Sequence, residues 1–171
     1  MAIETFNHTI ILWIAGLDDY SHEQLQTKPA PEKWSIGQVY LHLIQDTRFY
    51  LEQIQQCLSR EAHGEEAAAP AAQTMFLNNK FPDIAIVGAS EHASMPQPAS
   101  KEQLRAALTL LKMEMEQAAE FISSNQPKSK SKHPGLGYFS AEEWLQFAEM
   151  HFQHHLKQKK EIDNYLKQMY L

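Results

Sequence analysis

The chain is nearly without cysteine. Cys57 is the only one in 171 residues, so no intrachain disulfide is available and a reducing compartment such as the cytoplasm is expected. It also has no excess of basic charge. Fifteen Lys and Arg against 21 Asp and Glu leave a net charge of −6, which argues against general binding to nucleic-acid phosphates or to an anionic membrane surface. Long apolar runs are missing too. The stretch Thr9-Ile-Ile-Leu-Trp-Ile-Ala-Gly-Leu17 falls well short of the roughly 20 residues needed to cross a bilayer. No basic segment precedes that stretch and no small-residue cleavage site follows it, so it reads as a core-facing helix rather than a leader. What is present is ordinary for a soluble globular protein: a hydrophobic fraction of 43% and a charged fraction of 21%. The length suits one domain spanning residues 1–171 with a real hydrophobic core.

Four helical patterns organise the chain. In the first, from about Ile3 to Tyr20, Phe6, Ile10, Trp13, Ile14 and Leu17 recur at three- and four-residue spacing. Ser21 to Lys33, with Pro29 and Pro31, reads as a connector. Ser35 and Gln38 form an S-x-x-Q capping pattern that opens a second helix, whose row Ile36, Val39, Leu43, Tyr50, Ile54 and Leu58 extends to about Arg60. A long connection, Glu61 to Ala99, opens in an Ala-rich stretch and ends in Ser94-Met-Pro-Gln-Pro98; its middle, Thr74 to Val87, suits a short helix or an ordered loop. Ser100 and Gln103 start the third helix, with the stripe Leu104, Leu108, Leu111, Met115, Ala118 and Ile122. Asn125 to Tyr138 reads as a loop, and its lysines Lys128, Lys130 and Lys132 as solvated, with contact to an anionic substrate the minority reading. Ser140 and Glu143 start the fourth helix, which runs to near Met169. The fold class expected is therefore all-α. Two short connectors and one long one suit a four-helix bundle with a crossover between helices two and three.

His151 and His155 stand four residues apart, so both imidazoles leave one face of the last helix about 6 Å apart along its axis. At 100° per residue, Trp144, Phe147, Ala148, Gln158, Ile162, Tyr165, Leu166 and Met169 share their side, while Glu142, Glu149, Lys160 and Lys167 fall on the opposite one. Imidazoles in a core-facing row need partners, because a buried polar group without one costs about 1–3 kcal/mol. A divalent metal would satisfy them; Zn²⁺ and Ni²⁺ bind neutral imidazole well, and Fe²⁺ or Mn²⁺ are further candidates. A hydrogen-bonded histidine cluster would satisfy them equally. His-x-x-x-His here lacks the glutamate of H-E-x-x-H, because Phe152 and Gln153 follow His151, so a metalloprotease is excluded. A metal site needs a third ligand. Of the nine histidines, His63, His92 and His133 lie in expected loops, His8 lies off the first helix's apolar row, and His42 sits at the margin of the second helix's stripe. Spacing alone does not choose among them.

Two stretches resemble the DinB/YfiT-like metalloenzyme superfamily. Lys33-Trp-Ser-Ile-Gly-Gln-Val-Tyr-Leu-His-Leu43 is similar to the start of its second helix, with a Trp-Ser opening and a later His-Leu pair. His133-Pro-Gly-Leu-Gly137, Glu143-Trp-Leu-Gln-Phe147 and His151-Phe-Gln-His-His-Leu-Lys-Gln158 resemble its last-helix signature, which ends in His-x-x-x-His-x-x-Gln. The Ala-rich connection resembles nothing specific. The resemblance implies an up-down-down-up four-helix bundle and a metal held by three histidines, here His42, His151 and His155. His154 falls outside the family's spacing, which implies a solvent-edge or supporting role. Gln158, one turn beyond His155, is a candidate to orient a ligand or a water, or else a half-buried amide at the bundle end.

Three neutral histidines leave coordination positions open, as a catalytic metal requires. Such an ion could activate water for hydrolysis or hold a small thiol as thiolate. Relatives in the family include thiol-dependent transferases and isomerases, so the resemblance favours thiol chemistry on a small-molecule substrate, with a low-molecular-weight thiol as partner. No general base stands out. Asp46, one turn after His42, is a candidate to support a ligand, or else an exposed or capping carboxylate; Tyr50 and Tyr138 are more simply explained by packing. Cys57, near the C-terminal end of its helix, is a poor nucleophile because the dipole there does not favour thiolate. Trp34 and Trp144 read as packing. The competing expectation is a non-catalytic helical bundle, a stress or binding protein and a candidate homodimer, with adventitious metal or none.

Overall fold

The structure is a computed structural model that describes residues 2–59, 61–82 and 95–170. It is mostly helical. Helix α1 spans Ala2–Gly16 and continues into one 3₁₀ turn, Leu17–Asp19; Phe6, Thr9, Ile10, Trp13 and Leu17 form its buried row. A short helix α2, His22–Gln26, lies inside the segment expected to be a plain connector. Ser21 and Gln24 form a full capping box there, and Leu25 is fully buried, which explains how five residues hold a helical turn. Helix α3, Ile36–Ser59, begins as expected: Gln38 N–H donates to Ser35 Oγ at 3.1 Å, and Ser35 N–H donates to Gln38 Oε1 at 3.0 Å.

The Ala-rich stretch is ordered rather than featureless. Ala68 and Ala72 are buried, and helix α4, Pro70–Asn78, starts with proline in its first turn, where the missing N–H costs nothing. It ends on Asn79 in the left-handed region (φ 47°). Thr74 to Asn78 thus lie in a helix; the rest of the expected middle element, from residue 83 on, and His92 lie outside the described residues. Helix α5, Lys101–Asn125, buries all six residues of its predicted stripe, and the Ser100 side chain caps it by accepting from Gln103 N–H.

The all-α expectation broadly fits, with one small sheet besides. The stretch read as a loop holds an antiparallel hairpin, β1 (Lys130–His133) and β2 (Gly137–Ser140), in register Ser131 opposite Phe139. Alternation explains it: Ser131 and Phe139 point inward and are buried, while Lys132 is exposed on the other face. Lys128 is exposed as well, and Lys130 Nζ donates to the Glu66 carbonyl. Ala68 bridges to Gly137, so the hairpin is also tied to the segment before α4.

Helix α6, Ala141–Met169, starts with a full Ser140–Glu143 capping box. Glu142, Lys160 and Lys167 are exposed as expected, but Glu149 is buried. Helix α4 packs on α6, and Asn79 Nδ2 donates to Glu149 Oε2 at 3.3 Å; a helical wheel for α6 alone contains no such cover. Burial pushes the Glu149 carboxyl up from its ordinary value. Met169, placed on the buried row, is 57% exposed, at the last position of the helix.

Helices α1 and α3 each pack against both α5 and α6, and α3 against α6 is the most extensive of these contacts. One connected core runs through all of them, from Phe6 and Trp13 through Tyr40 and Leu108 to Trp144 and Phe152. No helix among the described residues is long and apolar enough to cross a membrane.

Candidate metal centre

The α3–α6 contact carries the site. His42 stands on the second turn of α3, and His151 and His155 lie one turn apart on α6. His42 Nε2 is 3.0 Å from His151 Nε2, which is 3.1 Å from His155 Nε2. The three ligating atoms all lie within 4.8 Å of one another. His151 is buried, and His42 and His155 are half-buried. His42, marginal on its own helix's stripe, is brought into the group because that margin faces α6.

Hydrogen bonding alone does not explain this convergence. A ring nitrogen carries one in-plane hydrogen or one lone pair, and His151 Nε2 faces two other ring nitrogens at once, so no choice of tautomers gives both contacts a linear hydrogen bond. A single cation between them satisfies all three lone pairs. Ligand nitrogens about 2.1 Å from a tetrahedral ion lie roughly 3.4 Å apart, close to the 3.0 and 3.1 Å that separate His151 from the other two. The donor set therefore fits a divalent metal.

The outer nitrogens support that assignment. His155 Nδ1 lies 2.7 Å from Gln158 Oε1, so an Nδ1–H donates to the amide oxygen and the lone pair is left on Nε2. His151 Nδ1 lies 3.4 Å from the Tyr50 hydroxyl, which in turn donates to Asp46 Oδ2 at 3.5 Å. Burial, with the nearby Asp46 charge and hydrogen bond adding to it, holds the Tyr50 phenol well above its ordinary pKa and keeps it a donor. Burial likewise drives His151 well below the ordinary imidazole value, and His155, His42 and His154 reinforce the shift, so the ring is neutral as a ligand must be.

Aromatic rings enclose the group. The Trp34 ring centroid is 5.0 Å from that of His42, and the Phe81 ring is 6.0 Å from that of His151. Trp34 is buried packing as expected, but packing against a site residue. Phe81, on the long connection, could not have been placed here from spacing.

The other candidates separate clearly. His154 stays outside the trio, half-buried between the rings of His155 (5.2 Å) and Phe81 (5.4 Å). Asp46 is neither remote nor a helix cap: its Oδ2 lies 3.6 Å from His42 Nε2 and 3.8 Å from His151 Nε2. Tyr50, expected to be packing, also contacts a site histidine, whereas the Tyr138 ring packs on His63. Cys57 is buried against Ser131 and the Phe139 carbonyl, and burial pushes its thiol up, away from a nucleophile's range. Two open grooves, each about 770 Å³, lie elsewhere, one between α3 and α5 and one beside Cys57; neither includes a trio histidine.

No curated protein and no solved structure gives a significant match to the chain. A sequence model of the DinB superfamily, however, matches residues 11–158, which takes in all three histidines and ends on Gln158. With that match covering most of its length, the chain belongs to the DinB superfamily.

Proposed function

We propose that this protein is a metal-dependent enzyme in which His42, His151 and His155 hold one divalent ion, Zn²⁺ or Ni²⁺ first and Fe²⁺ or Mn²⁺ next, for thiol-dependent S-transfer to a small electrophile, with hydrolysis of a small molecule as the second choice of reaction. The observation that carries the metal is the meeting of three Nε2 atoms, with His151 Nε2 facing both of the others at 3.0 and 3.1 Å where one nitrogen makes a linear hydrogen bond to only one of them. Membership in the superfamily supports it. The thiol chemistry rests on the resemblance described above.

When bound, the ion would supply Lewis acidity, lowering the pKa of a water or thiol in its open positions. The chain's own residues do the rest. Gln158 and Tyr50 hold the outer nitrogens of His155 and His151, which keeps both Nε2 lone pairs aimed inward. Trp34 and Phe81 exclude water and give an apolar wall against which the carbon skeleton of a small substrate would rest. The arrangement is proposed to sit in one domain, residues 1–171, folded as an up-down-down-up bundle of α1, α3, α5 and α6. Contacts of α1 and α3 with both α5 and α6 support that topology.

Elemental analysis of protein purified without a histidine tag tests the proposal. One metal per chain is expected, lost in His42→Ala and His151→Ala variants that remain folded. The metal-loaded protein is then expected to consume low-molecular-weight thiols against a panel of electrophiles. A folded wild-type protein that binds no divalent metal would return the chain to the non-catalytic bundle reading.

A further inference from the structure

We infer that Asp46 is a fourth, anionic ligand of the same ion. This rests on the three-histidine reading and deepens it. Asp46 follows His42 by one turn of α3, so both side chains reach one spot. Its Oδ2 lies 3.6 Å from His42 Nε2 and 3.8 Å from His151 Nε2, on the inward side of both rings. A carboxylate that merely orients a ligand imidazole sits on the ring nitrogen that does not bind metal. Gln158 occupies that position for His155. Asp46 faces the opposite nitrogen, where the ion belongs.

The distances fit. Two atoms about 2.1 Å from one ion, at the angles of tetrahedral or trigonal ligation, lie roughly 3.4–3.6 Å apart. The Asp46 side chain, 38% exposed, has room to turn toward an ion held by those rings. The Tyr50 hydroxyl, donating to the same oxygen at 3.5 Å, aims the carboxylate. Three neutral imidazoles and one carboxylate on a divalent ion leave a single net positive charge, and one anionic substrate group would join as a fifth ligand. A site of three histidines alone would leave two.

The test is a crystal structure of the zinc-loaded wild-type protein, paired with zinc affinity measured by chelator competition for wild type, Asp46→Asn and Asp46→Ala. An Asp46 oxygen about 2.0–2.2 Å from the ion is expected, with affinity at least 100-fold weaker in Asp46→Ala and an altered visible spectrum in the cobalt-substituted Asp46→Asn protein. Zinc on the three histidines with both Asp46 oxygens more than about 3 Å away would overturn the inference and leave the three-histidine site standing. Zinc absent from the histidines would overturn both. The wild-type crystal structure decides the matter even if a variant fails to fold.

Discussion

At the residue scale, the nitrogen opposite each proposed metal-binding nitrogen controls the site. Gln158 Oε1, 2.7 Å from His155 Nδ1, selects the tautomer that leaves Nε2 with its lone pair. Replacing Gln158 with Ala is expected to weaken metal affinity about 10- to 100-fold with little loss of fold stability, since the side chain is half-buried at the rim. Chelator competition beside a urea melt checks both halves, and unchanged affinity would remove Gln158 from the site. His133 behaves differently. Its ring stacks on Trp144 at 5.5 Å, and burial lowers its pKa below the ordinary 6.5, with a backbone contact at Pro134 partly offsetting the shift. Below pH 6.5 the unfolded chain therefore takes up this proton before the folded one does. The stabilising contribution is complete above pH 6.5 and is lost as pH falls toward the depressed folded value. In His133→Phe, stability is expected to fall less steeply with pH in that window than in wild type, as read from urea midpoints. Parallel profiles would contradict it.

Among the elements, the hairpin shows what was hidden from a pattern of helices. Trp144 Nε1 on α6 donates to Ser131 Oγ on β1 at 2.7 Å, and Cys57 Sγ on α3 donates to the same oxygen at 3.4 Å, so two strands of four residues clamp the ends of two long helices. Gly137 is the pivot. It has φ +84°, and a Cβ there would meet the Ala67 carbonyl oxygen and the Ala69 nitrogen at 2.7 Å. Gly137→Ala is expected to destabilise on both counts, by about 1–2 kcal/mol from the left-handed backbone and further from a clash with backbone that has no rotamer to yield. A thermal melt within 1 °C of wild type would refute this close packing. The long helices were legible because their capping patterns and apolar rows are local: Ser35, Ser100 and Ser140 all cap where the S-x-x-Q/E pattern placed them. Helix α2 carries the same signal, Ser21 and Gln24, but its five residues supply too short an apolar row to distinguish it from a connector. The hairpin's alternation was equally short, and its prolines and glycines read as loop.

At the scale of the whole molecule, the proposed metal binding would be coupled to folding, because the three histidines converge only when α3 packs on α6. Saturating zinc at 100 times its dissociation constant is expected to add about 2.7 kcal/mol of stability, seen as a rise in melting temperature that a chelator reverses and that His151→Ala lacks. Equal melting with and without zinc would sever the link. The sequence by itself determined the helical character, three of the four long-helix starts by their caps, and the shared face of His151 and His155, since each depends on residues within a few turns of one another. That His42 completes the group was reached only through resemblance; its own helical wheel left it at a margin, and the approach of α6 made that margin an interior. Tertiary structure alone decided that Glu149 is covered by α4, that Phe81 walls the histidines, and that an oxygen of Asp46 lies beside the inner nitrogens of His42 and His151. Each of those outcomes depends on a partner distant in sequence, and a periodic pattern encodes which face a residue takes but not what comes to meet it.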